Sequence, residues 1–329
     1  MTKWSIIIMC TLTTILNITH AQVKWIAVDS INNTMPNSVQ LYYTHDSIAG
    51  KPNIAYCIIA DLTNEQLEFT VDTTANRRLT PSQFYNRNQA PLVIVNSTFF
   101  NYSTNASQNV VIKDGRVVAH NLKAVQRKLA DSIMHTIPIQ RSAIGISKNR
   151  KADIAWIATD SSKTYAMAKQ KINQSGNCIS ITDSTMGIAN AFEKSKRKQR
   201  KHIFKKWNVQ TAIGGGPVLI QNGQVCITNE QEKLFEGKAL YDKHPRTAMG
   251  YTADAKLIIL VIQGRYKGIA EGATLQQEAD MLLQLGCVEA LNLDGGGSSC
   301  MLVQGKETIQ PSEKTGQRPV PAIFLIKKR

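Results

Sequence analysis

The chain has 329 residues, with 39 Lys and Arg against 24 Asp and Glu and a formal net charge of +15 at pH 7. That length can bury a large core as one domain or two. No stretch beyond the N-terminus approaches the ~20 apolar residues that a membrane-spanning helix needs. The cysteines show neither CxxC spacing nor a histidine at zinc-ligand spacing, which argues against a zinc site.

The chain opens MTKWSIIIMCTLTTILNITHAQ: one lysine, an interrupted apolar run, then small-x-Ala at Thr19-His20-Ala21. This is the layout of a secretory signal peptide, residues 1–21, cleaved after Ala21. A retained anchor is the alternative. Cys10 lacks the residues that would mark a lipid anchor. The protein is therefore expected to be exported, periplasmic or extracellular. Loss of Lys3 changes the +15 to about +14. Five cysteines remain: Cys57, Cys178, Cys226, Cys287 and Cys300. Cys57, Cys287 and Cys300 lie in apolar runs and read as small buried hydrophobes. No pairing is assigned.

Residues 22–49 form a lead-in, and 50–329 are expected to make the main domain. Short β-branched runs bounded by Gly, Asn, Asp or Pro dominate it, such as 53–62, 67–73, 92–96, 256–264 and 288–294. KDGR at 113–116 and QNGQ at 221–224 have the composition of type I′ hairpin turns. Helices are few. TLQQEADMLLQLG, 274–286, carries a capping box at Thr274 and Gln277, a stripe of Leu275, Ala279, Leu282 and Leu283, and a stop at Gly286. A second helix is predicted over 161–172. The pattern predicts a single α+β domain with a large mixed, mainly antiparallel sheet and a few packed helices.

Much of the positive charge is local. KSKRKQRKHIFKKW, 194–207, holds eight Lys and Arg. It reads as a solvated basic insertion near 193–207, helical in one reading. The alternative is a docking surface for an anionic polymer at 194–206. No nucleic-acid motif accompanies it, so no nucleic-acid partner is expected.

Two stretches echo each other: AIGGGPVLIQNG, 212–223, and LDGGGSSCMLVQG, 293–305. Each runs from an apolar strand through three glycines to a second strand. Three glycines permit a sharp turn and close backbone approach. Convergent N–H groups there would cradle an oxyanion, and Ser298 and Ser299 add hydroxyls. A tight turn or bulge is the plainer reading. Neither stretch is a P-loop, a dinucleotide fingerprint or a nucleophile elbow. Asp294 falls at a strand tip, either hydrogen-bonded by turn amides or set to act on a substrate. Asn96, Arg246, Thr247 and Arg265 lie at similar strand ends, and an arginine there suits phosphate. His244, just before a proline, reads more readily as structural than as an acid or base.

Taken in order, VNSTFF (95–100), IGGGPVLIQNG (213–223), HPRTAMGY (244–251), VIQGR (261–265), GATLQQEADMLLQLG (272–286) and NLDGGGSS (292–299) resemble the phosphodiester glycosidases. The resemblance covers roughly 50–326. It implies hydrolysis of the anomeric C–O bond of a sugar-1-phosphate diester, GlcNAc-1-phosphodiester-like, giving free sugar and a phosphomonoester. The implied catalytic residues are Asp294, Arg246 and Arg265. The implied substrate contacts are Asn96, Phe99, Gly215, Gly216, Thr247, Gly295, Gly296 and Ser298. The partner is then a phosphorylated sugar or glycan, and no cofactor or metal is called for. Two positions depart from the family pattern. Ser97 stands where the family has glycine, and Gln277, followed by Glu278, where it often has Glu.

The chemistry suits these residues. A phosphomonoester is a good leaving group, so stabilising its charge matters more than protonating it. A carboxylate near the oxocarbenium-like carbon is also needed, and Asp294 takes that part. Glu271 and Asp61 are weak candidates for a second. The alternative function is a non-catalytic binder of anionic or phosphorylated envelope glycans.

Overall fold

Strand Lys256–Ile262 shows why this sequence layers as it does. It is an unbroken apolar run after its lysine, and both of its faces are buried. Leu257, Ile259 and Val261 face one core cluster, and Ile258, Leu260 and Ile262 face another. A strand covered on both sides needs no polar alternation.

The computed structural model describes residues 22–128, 133–169 and 204–329. The expected signal peptide, Cys178 and most of the basic run lie outside them. Three larger sheets form one α+β domain. An eight-stranded sheet has Lys256–Ile262 and Arg246–Thr252 at its centre, flanked by Ala55–Asp61 and Cys287–Asn292. A seven-stranded sheet centres on Arg141–Ile146, and a five-stranded sheet contains Val93–Asn96, Met301–Val303 and Ala322–Lys328. A two-stranded ribbon, Ala124–Lys128 with Met134–Pro138, completes the set. The strand pairs among the described residues are antiparallel, so the expected large sheet is a system of three.

The main core fills the space between the sheets, with Ile58, Val71, Val95, Ile144, Trp156, Met249, Leu291 and Phe324 among its members. Helix Leu275–Gln284 covers the other face of the eight-stranded sheet. Its capping box forms as expected: Gln277 N donates to Thr274 Oγ1 at 3.2 Å and Thr274 N to Gln277 Oε1 at 3.0 Å. Its buried face differs from the expected stripe. Leu283 is 39% exposed, while Glu278 and Met281 are buried. Both hairpin turns have the left-handed pairs that type I′ requires, at Asp114-Gly115 and Asn222-Gly223.

The helix expected over 161–172 is absent from the part described. Residues 161–166 turn, and Met167–Lys169 is a strand paired with Trp156–Ala158. Ala166 and Ala168 are buried there, and tertiary pairing overrides helix propensity. Of the basic run, Lys205–Lys206 is an exposed edge strand, and Trp207 Nε1 donates to Asp153 at 2.7 Å. Cys57, Cys287 and Cys300 are buried thiols, and Cys226 is disulfide-bonded. Among the described residues no helix is long and apolar enough to cross a membrane.

Candidate active site

Antiparallel register brings the motifs together. Arg246 opposes Ile262, and Ala248 opposes Asn292. The start of one strand therefore meets the ends of its two neighbours, and HPRT, QGR and LDGGGSS emerge at the same sheet edge. Asp61 opposes Lys256 at the other end of the sheet, about 20 Å away by strand rise. Burial acts to raise its pKa, but bonds to Lys256 and Thr63 hold it at about 2. Asp61 thus has no part in this site.

Asn96 joins three of the segments. Its Nδ2 donates to Asp294 O at 2.5 Å, and its Oδ1 accepts from Thr247 Oγ1 and Cys300 N, both at 3.0 Å. Asp294 N in turn donates to Ser97 O at 2.8 Å. Asn96 and Thr247 are fully buried. The structure places them beneath the loop as its clamp.

The glycines serve backbone approach. Gly214 N, Gly215 N and Gly216 N donate to Val110 O, Ser142 O and Asn292 O. A Cβ on Gly215 would overlap Asn292 O, and one on Gly295 would lie 2.8 Å from Pro245 O. Gly216 packs on Glu232, whose carboxylate accepts from Ser142 N, Ser142 Oγ, Val218 N and Thr228 Oγ1. In the second loop, Gly296 N donates to Pro245 O. Gly295 N–H is directed at the Asp294 carboxyl. The amides of the first loop are thus committed within the fold rather than offered as an anion nest.

Asp294 is partly exposed at the strand tip. Burial pushes its pKa up to about 7, against the opposing pull of the Ser298 hydroxyl, Arg318 and Gly295 N–H. Sequence reasoning missed Arg318. It lies against Gly297, is 3.4 Å from Ser298 Oγ, and forms an ion pair with Glu313 at 2.5 Å. The guanidinium hydrogen bond and charge hold Glu313 below the usual carboxylate range. Two carboxylates, Asp294 and Glu313, therefore flank Arg318.

Arg265 covers Gly296: a Cβ there would lie 2.9 Å from Arg265 Nη2. Its side chain is exposed, and among the described residues it has no hydrogen-bond or ion-pair partner. Its backbone is left-handed, φ +69°, which costs a non-glycine residue about 1 kcal/mol. The turn after it is pinned by Tyr266 N to Ala270 O at 3.0 Å and Tyr266 Oη to Pro311 O at 2.7 Å.

Arg246 differs. It is 2% exposed, with Nε on Ala273 O at 2.9 Å and Nη2 on Asp242 O at 3.3 Å. Its guanidinium lies 5.7 Å from the Phe235 ring centre, and that ring meets Phe99 edge-on at 6.0 Å. Beneath it is Glu278, buried and with neither oxygen hydrogen-bonded. Burial pushes Glu278 up to about 8, with Arg246 opposing. Burial, with Arg246 and Arg265 nearby, lowers the pKa of His244. Glu271 lies by Lys243, in the loop whose Gly272 packs on the His244 backbone.

Phe235, Glu313 and Arg318 had no motif to betray them. Only Glu278, a charge within an apolar helical stripe, left a readable signal. Among the described residues no group of three or more His, Cys, Asp or Glu could hold a metal ion.

Comparison with known proteins supplies a family. The phosphodiester glycosidase model matches residues 182–327. Bovine N-acetylglucosamine-1-phosphodiester α-N-acetylglucosaminidase is 30% identical over 109 residues, 31% of this chain and 20% of the bovine protein. An uncharacterised SPbeta prophage-derived protein, YomE, of Bacillus subtilis strain 168 is 42% identical over 64 residues, 20% of this chain and 10% of that protein. The match thus spans a fifth or less of these relatives' length. The zebrafish N-acetylglucosamine-1-phosphodiester α-N-acetylglucosaminidase catalytic domain, solved auto-inhibited by its pro-peptide, superposes with TM-score 0.53 at 17% identity, covering 93% of this chain and 88% of that one. A hypothetical protein from Synechocystis gives 0.59 at 15% identity, covering 94% and 64%. These last two are likenesses of fold.

Proposed function

Since the chain belongs to the phosphodiester glycosidase family, we propose that it is an exported hydrolase that cleaves the anomeric C–O bond of a sugar-1-phosphate diester. The products are a free sugar and a phosphomonoester. The observation that carries this reading is one juxtaposition. Asp294, with its pKa near 7, shares a loop with Gly296, over which lies the uncommitted guanidinium of Arg265.

A carboxyl that titrates near neutrality can take and return a proton under working conditions. Asp294 accepts a proton from water as the water oxygen bonds to the anomeric carbon. The C–O bond to phosphate breaks, and its electron pair leaves on the phosphomonoester. Arg265 receives that growing charge, and its strained backbone fits a residue held for function. Ser298 and Arg318 steady the Asp294 carboxylate. Arg246 acts as a positioning residue: it ties the HPRT strand to the 273 loop and presents Phe235 toward Phe99. The likeness to proteins named for GlcNAc-1-phosphodiester hydrolysis supports that substrate class as the first to try.

The test is sugar release from a GlcNAc-1-phosphate diester in ¹⁸O-water. Label in the sugar is expected, with release abolished in Asp294→Asn at an unchanged melting temperature. Label in the phosphate, or full turnover in that variant, overturns the reading. Binding across a diester panel without any release favours a non-catalytic glycan binder.

A further inference from the structure

The loops around Asp294 hold a second cationic surface, of which the bond-breaking step uses Arg318 alone. Arg78 is half-buried, yet among the described residues it has no hydrogen-bond or ion-pair partner. Its guanidinium carbon lies 5.2 Å from the Phe100 ring centre and 5.3 Å from that of Tyr102. Arg318, the residue that reaches Ser298, lies 5.7 Å from the same Tyr102 ring. Tyr102 is 60% exposed, whereas Phe100 beneath it is buried, the two rings 4.8 Å apart.

This surface is held in place. Ser103 N and Thr104 N donate to Asn101 Oδ1 at 2.8 and 3.0 Å. Phe100 bridges to Ser107, and Asn105 Nδ2 reaches Asn76 O at 3.4 Å. Aromatic faces orient a guanidinium but leave its charge and its planar donor fork unmatched. The group that matches such a fork is an oxyanion, taken through two parallel hydrogen bonds. An exposed tyrosine ring between two guanidiniums adds a flat platform for a sugar or polyol. Through Arg318 the platform is continuous with the Asp294 loop, so it lies along the path of a substrate seated there.

We propose that Arg78, Tyr102 and Arg318 form a leaving-group subsite that binds a second phosphate, one unit beyond the scissile phosphodiester. The preferred substrate is then a phosphorylated glycan or polyol phosphate rather than a diester of a neutral alcohol. This rests on the hydrolytic reading above and adds to it a demand on the leaving group.

Two substrates test it: GlcNAc-1-phosphoglycerol, and the same compound with a second phosphate on the glycerol. The ratio of their kcat/KM values is measured in the wild type, Arg78→Gln and Tyr102→Ala. We expect the wild type to favour the doubly phosphorylated substrate by about tenfold at low salt, the scale of one charge-assisted contact. The ratio should fall toward one in Arg78→Gln and shrink as salt is raised. No preference in the wild type, or an undiminished one in Arg78→Gln with its melting temperature unchanged, overturns the proposal. Should Arg78→Gln melt early, Arg78→Lys keeps the charge and loses only the fork, and an intermediate ratio is expected; the wild-type ratio there overturns it. If neither substrate releases sugar, the hydrolytic reading fails by itself. The subsite is then read by calorimetry with glycerol bisphosphate: binding about tenfold weaker in Arg78→Gln sustains it, and equal binding ends it.

Discussion

Asn96 and Asp294 stand 198 residues apart in the chain and are joined by a hydrogen bond from Asn96 Nδ2 to Asp294 O at 2.5 Å. The oxygen of the same amide accepts from Thr247 Oγ1 and Cys300 N. One fully buried side chain therefore sets the height of the Asp294 loop above two sheets. Asn96→Ala leaves Cys300 N–H and the Asp294 carbonyl without these partners, and the Thr247 hydroxyl with Ser299 Oγ alone. We expect it to cost about 2–4 kcal/mol, measured by urea unfolding, since each stranded buried group carries its desolvation penalty. A loss within experimental error would mean that water replaces the clamp.

Arg265 presents the opposite case. It is exposed and without a hydrogen-bond or ion-pair partner, so Arg265→Gln should leave the unfolding midpoint unchanged. In the proposed mechanism its contribution belongs to the charged transition state, so kcat/KM for diester cleavage should drop by about a hundredfold. A variant that loses stability and activity together would show that its φ of +69° is there to support the turn.

The two adjacent glycines should separate stability from activity. A Cβ on Gly295 meets the Pro245 carbonyl, a backbone group that cannot swing aside. Gly295→Ala should cost about 1–3 kcal/mol by overpacking. A Cβ on Gly296 meets the far end of Arg265 instead, at φ +63°. Gly296→Ala should carry only the left-handed strain, about 1–2 kcal/mol. It should also lose activity out of proportion, by moving the Arg265 guanidinium. Equal activity losses in the two variants would contradict this assignment.

Glu278 makes a pH prediction. Its folded pKa is near 8, raised by burial, whereas an unfolded glutamate titrates near 4.3. Between those values the folded protein holds a proton that the unfolded chain has released. This group therefore reduces stability as pH rises from about 4 to about 8, and by nothing further above that. Glu278→Gln mimics the protonated form, so its melting temperature relative to wild type should climb between about pH 5 and pH 9. A constant difference would mean that Glu278 is ionised and paired with Arg246 throughout.

The sequence by itself determined the local structure of this protein and which motifs deserved suspicion. Asp114-Gly115 and Asn222-Gly223 could be read as turns, and Thr274 with Gln277 as a helix start, because each rests on groups a few residues apart. The strand 256–262 was legible from its unbroken apolar run. The cap at Thr80, with Pro81 and Gln83, was equally local and could have revealed helix Pro81–Arg87. Only the tertiary structure decided where the motif residues sit and which of their polar groups stay open. The glycines of 214–216 looked like an anion cradle until Val110, Ser142 and Asn292 took their N–H groups. Arg246 and Arg265 look alike in sequence, yet one is buried beneath Phe235 and the other left open above Gly296. Arg318 became part of the site through contacts with Ser298 and Glu313 that no spacing encodes. The reason is physical. Turn and cap preferences act through a residue's near neighbours, whereas burial, pKa and hydrogen-bond availability depend on segments that meet only when the sheets close.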